Sequence, residues 1–390
     1  MGAKKNYRRH NAIYHAIRPL VRLYLWMAYR FRAPQKVRDD GPFLMICNHV
    51  TDLDMLFTSC TFRHHMYYVA SEHVLRFGWL SRLLDYVFCP IIRKKGTVAA
   101  ATAMEMKRLV RQGHSIGLFA EGERSASGVN RPVIPSTGSL ARMLNCRMYT
   151  VRLHGGYFSS PRWGKGIRRG RLTSEVVGCY EPADLRAMTA EEVTALLDRD
   201  IYVDAYADNE KDHIAFRGKN PAEGIQHVLL ACPSCGKLNT ITSKGAGFSC
   251  PCGMHGTYDA YGMLHGEGFS FSTITAWAEW ARKAVASLPD CLPDTVLCRD
   301  PDQIVREILP DHTVRPVDSG ELVLTRNGLH VGATAFPLEE IETCDLIAHG
   351  YLLINRKDGR YFEIRNRDRL FSGQLYLYLI DRYHPGIANL

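Results

Sequence analysis

The chain reads as an α/β protein: a mostly parallel sheet flanked by helices, then a small cysteine ribbon, then a mainly-β region closed by a helix. Three observations predict this. Between about residues 41 and 210, short apolar runs alternate with longer helical stretches. Two cysteine pairs, Cys232/Cys235 and Cys250/Cys252, stand close together further on. Residues 301–390 then carry short apolar runs separated by turn residues such as Asn327-Gly328 and Asp358-Gly359.

A length of 390 residues suggests two or three domains, and 46% hydrophobic with 23% charged residues is an ordinary globular balance. The net charge of +9 is unevenly spread. Basic residues including Arg8, Arg9, Arg18, Arg22, Arg30 and Arg32 crowd the first forty positions, and a second cluster runs from Arg162 to Arg171. Such asymmetry points to an anionic partner, either a membrane or nucleic acid. Arg18 and Arg22 break the apolar stretch that a cleavable signal peptide would need, and nothing is long and uncharged enough to span a bilayer. Twelve cysteines, mostly single, with one tight group of four, suit a reducing cytoplasm and a metal site better than a disulfide scaffold.

In chain order, residues 1–40 read as a basic amphipathic membrane-interface helix. Arg18, Arg22, Arg30 and Arg32 interleave with Tyr24, Trp26 and Tyr29, as at the boundary of a bilayer with anionic headgroups, and Pro19 starts or kinks the helix. Strands are expected at 43–47, 66–71, 88–93, 115–120 and 147–153. Helices are expected at about 53–62, 74–87, 97–112 and 137–145. A further helix over 189–206 starts at the capping box Thr189-Ala190-Glu191-Glu192, and Asp208–Asp212 read as a surface connection.

Two polar clusters end two of these strands. After Phe43-Leu44-Met45-Ile46 come Asn48 and His49, then Asp54 at a helix start. After Ser115–Ala120 come Glu121-Gly122-Glu123-Arg124-Ser125. In a parallel sheet both clusters lie at the carboxyl-terminal edge, where α/β folds place reactive groups. An imidazole oriented by a carboxylate is what a general base needs.

Asn48-His49 with Asp54, and Glu121-Gly122 with Arg124-Ser125, resemble the paired motifs of the 1-acylglycerol-3-phosphate acyltransferase family of glycerolipid enzymes, in order and separation. The resemblance extends to Arg93, after the apolar Cys89–Ile92, and covers roughly residues 10–210. It implies that His49 and Asp54 are catalytic and that Asn48, Arg93, Glu121, Gly122, Arg124 and Ser125 bind substrate. It implies a lysophospholipid acceptor, above all lysophosphatidic acid, and a donor that is acyl-CoA or acyl carrier protein. Chemistry agrees in part: Arg124 can fork onto a phosphate, Gly122 lets the main chain approach, and Ser125 and Arg93 add donors. Glu121 cannot bind phosphate directly and is expected to orient Arg124 or an acceptor hydroxyl. Val50-Thr51 stand where many relatives have Gln-Ser, and Thr150 stands about where they have Pro.

Beyond this domain (41–210), residues 226–262 are expected to form a zinc ribbon. Cys232, Cys235, Cys250 and Cys252 would be tetrahedral ligands of a structural zinc, with His255 in reserve. Few basic or aromatic residues gather there, so no nucleic acid is expected. A helical linker (270–300) carries Trp277 and Trp280 on one side as core residues. Strands at 321–325, 329–332, 335–338, 352–355 and 361–364, with a closing helix over 372–381, make residues 301–390 similar in architecture to a pleckstrin-homology-like barrel. The expected protein is thus an acyltransferase held peripherally on the cytoplasmic side of the cell membrane. The alternative is a non-catalytic membrane- or protein-binding adaptor working through the ribbon and the β region.

Overall fold

The computed structural model describes residues 7–33, 37, 40–76, 79–93, 100–347, 350–366 and 371–388. Lys4, Lys5, Lys36, Arg38 and the expected helix start at 97–99 lie outside them. The chain divides into two compact units, one of residues 1–161 with 166–218 and one of residues 162–165 with 219–390.

The first unit runs α1 (Tyr7–Tyr29), β1 (Phe43–Cys47), α2 (Asp54–Thr61), β2 (Met66–Ser71), α3 (Trp79–Val87), β3 (Ile91–Arg93), α4 (Ala100–Arg111) and β4 (Ser115–Phe119). It continues with α5 (Ser136–Leu144), β5 (Arg147–His154), α6 (Gly156–Ser159), β6 (Thr173–Tyr180), α7 (Pro182–Ala187), α8 (Ala190–Ile201) and α9 (Ala205–Asp212). Its sheet has the order β3-β2-β4-β1-β5-β6, parallel except for the antiparallel pair β5/β6. β1 is buried along its whole length, and alternate side chains feed two cores. Leu44 and Ile46 join Ile116, Met148, Leu109 and Leu197 on one face. Phe43, Met45 and Cys47 join Leu25, Tyr29, Phe57 and Val151 on the other. Each such fully buried side chain contributes roughly 1.5–3 kcal/mol.

α1 continues through Pro19 and buries His10 with Tyr14 and Leu25 with Tyr29, two pairs each four apart on one helix face. Tyr14 donates to the carbonyls of Ser59 and Phe62, and Arg18 donates to that of Cys60, so α1 caps the carboxyl end of α2. Its other face leaves Leu20, Leu23, Trp26 and Met27 at least half exposed. Among the described residues no helix is long and apolar enough to cross a membrane.

Several expectations need correction. The strand read at 88–93 is only Ile91–Arg93, and residues 74–87 divide into a 3-10 turn ending at Arg76 and the separate helix α3. β6 was not foreseen. The single helix expected at 189–206 ends at Ile201, and Asp208–Asp212 belong to α9, capped by Asp204. Thr150 is wholly buried and donates to Asp200 of α8, which also accepts from Tyr180, so a hydroxyl there ties helix to sheet.

The second unit holds a four-stranded antiparallel ribbon, β7 (Thr242–Lys244), β8 (Gly247–Ser249), β9 (His255–Tyr258) and β10 (Leu264–Glu267), then α10 (Ile274–Ala286). Trp277 is fully buried against Phe269 and Phe271 and donates to the Ala231 carbonyl; Trp280 packs on Phe271 and is partly exposed. There follow β11 (Val296–Ile308), β12 (Val314–Thr325), β13 (Gly328–Val331), β14 (Thr334–Pro337), β15 (Ile341–Ile347), β16 (Tyr351–Arg356), β17 (Tyr361–Asn366) and α11 (Gly373–Tyr383). These strands form one antiparallel sheet in the order β14-β13-β12-β11-β17-β16-β15, so the first strand pairs with the last. Expected boundary 301 falls inside β11; neither β11 nor β15 was foreseen. α11 lays Leu375, Tyr376, Leu379 and Ile380 into the core.

Candidate active site and cysteine cluster

β1 and β4 are immediate neighbours, paired in register from Leu44↔Ile116 to Cys47↔Phe119. Their polar clusters therefore emerge side by side at the carboxyl edge of the sheet. The main chain then stitches them together. The His49 N–H donates to Glu121 Oε1 at 2.7 Å, and the Ser125 N–H donates to the His49 carbonyl at 3.0 Å.

Asp54, the first residue of α2, is completely buried and folds back over its own approach loop. It accepts from the N–H groups of Val50 (2.6 Å) and Thr51 (3.0 Å) and from the Thr51 hydroxyl (2.7 Å). His49 Nδ1 lies 2.7 Å from the same carboxylate. With Nδ1 donating there, Nε2 is the free basic nitrogen, and the side chain is 27% exposed. Phe119 stacks on the ring at 4.7 Å between centroids, which limits its tilt. The departure at Thr51 leaves a hydroxyl on the carboxylate, so the orienting group keeps its donors.

Asn48 is wholly buried. Its amide donates to the Leu153 carbonyl (3.0 Å) and accepts the Leu153 N–H (2.7 Å), clamping the end of β1 to β5. Glu121 is nearly as deep. It accepts from the His49 N–H, the Asn130 amide (2.8 Å) and the Arg131 N–H (2.9 Å). Burial pushes its carboxyl up to about 8 against those hydrogen bonds. Gly122 has φ +76°, a backbone that side chains rarely adopt, and an added Cβ would lie 3.1 Å from Ile134. Arg124 is buried to 6% exposure, with Nη2 3.4 Å from Asp52 Oδ1. The Ser125 hydroxyl donates to the Val129 carbonyl and accepts the Gly128 N–H, fixing the loop. Arg93 ends β3, the edge strand, three strand spacings or roughly 14 Å across the sheet from β1. The expected residues thus gather around His49, with Arg93 on the same rim further out. Asp52, Asn130 and Arg131 were not anticipated, because they sit in loops whose sequence has no period to read.

In the second unit the sulfurs of Cys232, Cys235, Cys250 and Cys252 all lie within 4.8 Å of one another. Cys232 and Cys252 are 3.6 Å apart, and Cys235 and Cys250 are 3.8 Å apart. A disulfide needs about 2.05 Å, whereas a tetrahedral ion with bonds of about 2.3 Å spaces its sulfurs about 3.8 Å apart. Four thiols so arranged could hold one metal ion. Gly236 and Gly253 turn with φ +70° and +100°, and their N–H groups return to the carbonyls of Cys232 and Cys250. His255 stands outside the group, with Nδ1 on the Gly253 carbonyl.

A match to a family model supports this picture in the first unit. Residues 28–154, which carry both clusters, match the Acyltransferase family model. Among solved structures the chain is similar to the 1-acyl-sn-glycerophosphate (LPA) acyltransferase PlsC from Thermotoga maritima, at 16% identity and a TM-score of 0.41, covering 51% of this chain and 82% of that one. No curated protein matches.

Two outcomes are expected. Because Glu121 is raised from 4.5 to about 8, the folded chain keeps a proton that the unfolded chain has lost, and stability falls as pH climbs through that window. The thermal midpoint of wild type should therefore decline more steeply between pH 4.5 and 8 than that of Glu121→Gln; parallel slopes would show an ordinary carboxyl. For the cysteines, metal analysis of purified protein should find about one ion per chain. The double variant Cys232→Ser/Cys235→Ser should lose it, with a lower thermal midpoint.

Proposed function

We propose that the first unit is an acyltransferase that esterifies the free hydroxyl of a lysophospholipid, with an acyl thioester, acyl-CoA or acyl carrier protein, as donor. Lysophosphatidic acid, which would yield phosphatidic acid, is the simplest such acceptor, with a hydroxyl for His49 and a phosphate for Arg124. The observation that carries this is the imidazole of His49, held at Nδ1 by a buried carboxylate, on a loop hydrogen-bonded to the one that follows the neighbouring strand and carries the buried guanidinium of Arg124.

In this reading Asp54 holds the tautomer and His49 Nε2 takes the proton of the acceptor hydroxyl as its oxygen attacks the thioester carbonyl. The C–S bond breaks as the adduct collapses, and the imidazolium returns the proton to the departing thiolate. Arg124 and the main chain at Gly122 grip the phosphate, with Arg93 as a second cation further along the rim. Asn48, Glu121 and Ser125 act through the backbone, since their polar atoms are spent on Leu153, on His49 and Arg131, and on the loop at Val129. Zinc is the ion proposed for the four cysteines: borderline-soft, tetrahedral and suited to thiolates, it would cross-link the ribbon and take no part in the transfer.

The exposed apolar face of α1, with Trp26 at 56% and Leu20 at 68%, lies among basic residues. Trp79 of α3 adds a second bare aromatic at 75% exposure. These features support an interfacial contact with anionic lipid, peripherally and on the cytoplasmic side. The antiparallel sheet closed by α11 is consistent with a pleckstrin-homology-like accessory that binds membrane or partner.

His49→Ala should lower the rate of ester formation from labelled donor and lysophosphatidic acid by about 10²- to 10⁴-fold with the fold intact. Activity retained in this variant would remove His49 as the base, whereas no transfer by wild type would leave the adaptor reading. In flotation with vesicles of anionic phospholipid, Leu23→Glu/Trp26→Glu should shift the protein from the lipid fraction to the soluble one. Unchanged flotation would place the membrane contact elsewhere.

A further inference from the structure

The guanidinium assigned to the phosphate does not face the solvent alone. Arg124 lies inside, at 6% exposure, and the carboxylate 3.4 Å from its Nη2 belongs to Asp52, whose side chain is 60% exposed. The acid thus stands on the outer side of the cation, two residues before Asp54 and three after His49. We propose that Asp52 is a specificity-determining residue: it disfavours a bare phosphomonoester and favours a lysophosphodiester whose headgroup carries an ammonium. This deepens the acyltransferase reading above and rests on it.

The argument is one of charge. A lone buried guanidinium would reward every negative charge brought to it, so a dianionic phosphomonoester would gain most. With an exposed carboxylate 3.4 Å from it, the second charge of the monoester is repelled. A phosphodiester brings a single negative charge. An ammonium on a two-carbon arm reaches several ångströms beyond the phosphorus, far enough to meet Asp52 while the phosphate stays on Arg124. A protein discriminates by such an added repulsion as well as by attraction. Because Asp52 is largely exposed, water and salt screen it, and the expected effect is modest, about fivefold in the ratio of specificities. The competing account is local: an acid just ahead of the amino end of α2 would stabilise that helix and touch no substrate.

The test uses the full chain in mixed micelles, with acyl-CoA and acyl carrier protein as alternative donors. Initial rates are compared for lysophosphatidic acid and lysophosphatidylethanolamine in wild type, Asp52→Asn and Asp52→Lys. Asp52→Asn should shift kcat/KM about fivefold toward lysophosphatidic acid, mainly through KM, and Asp52→Lys should shift it further the same way. Raised ionic strength should shrink both shifts. An unchanged acceptor ratio in both variants, with transfer still running, would overturn the role of Asp52 and leave the acyltransferase reading standing. If wild type transfers to neither acceptor with either donor, both readings fall.

Discussion

The pairing of β1 with β4 governs the first unit. Once Cys47 lies against Phe119, the loops that follow must leave the sheet side by side, and the hydrogen bonds from His49 to Glu121 and from Ser125 to His49 become possible. One bond joins main chain to main chain and the other joins main chain to a buried carboxylate, so neither links two flexible side chains. The imidazole and the guanidinium are therefore positioned by the backbone, the stiffest part of the molecule. Asn48 adds a third strand to the arrangement, because its amide donates to the Leu153 carbonyl and accepts from the Leu153 N–H at once.

Burial explains the division of labour among the acids. Asp54 and Glu121 are both sealed off, yet each is surrounded by N–H donors and serves to hold the loop on which His49 rides. Asp52 is the acid left at the surface, and in a site meant for an anion its position has consequences for selection rather than for shape. Phe119 contributes through its ring, stacked on the imidazole and nearly parallel to Tyr68.

Much of this was readable from the residues. β1, β2, β4 and β5 announce themselves as apolar runs because the interior of a parallel sheet is covered on both faces. β6 did not, since an antiparallel edge strand exposes part of its length and carries Glu175 among its residues. β11 was hidden by Asp300-Pro301-Asp302, which reads as a turn; the strand instead absorbs it as a register shift between Asp300 and Gln303. β15 was masked by Glu342 and Asp345. The His49 and Arg124 clusters were legible because their residue types and spacing carry chemistry. The acid of Asp52 was not, because its meaning lies in a contact to a residue seventy-two positions away (52 to 124) rather than in its neighbours. The cysteine group was legible by spacing, and the distances among its sulfurs exclude disulfides.

The seven-stranded sheet closes only when Val305 meets Ile364, its first strand finding a second neighbour in its last. During synthesis β11 leaves the ribosome long before β17 exists, and meanwhile one of its edges has no partner. An open edge invites pairing with another chain. Asp300 and Asp302 stand on the same strand just before the stretch from Gln303 to Glu307 that β17 covers, and charge beside an open edge disfavours such pairing. The same bulge that obscured the strand to a reader of the sequence thus also sets two carboxylates beside the edge that β17 covers.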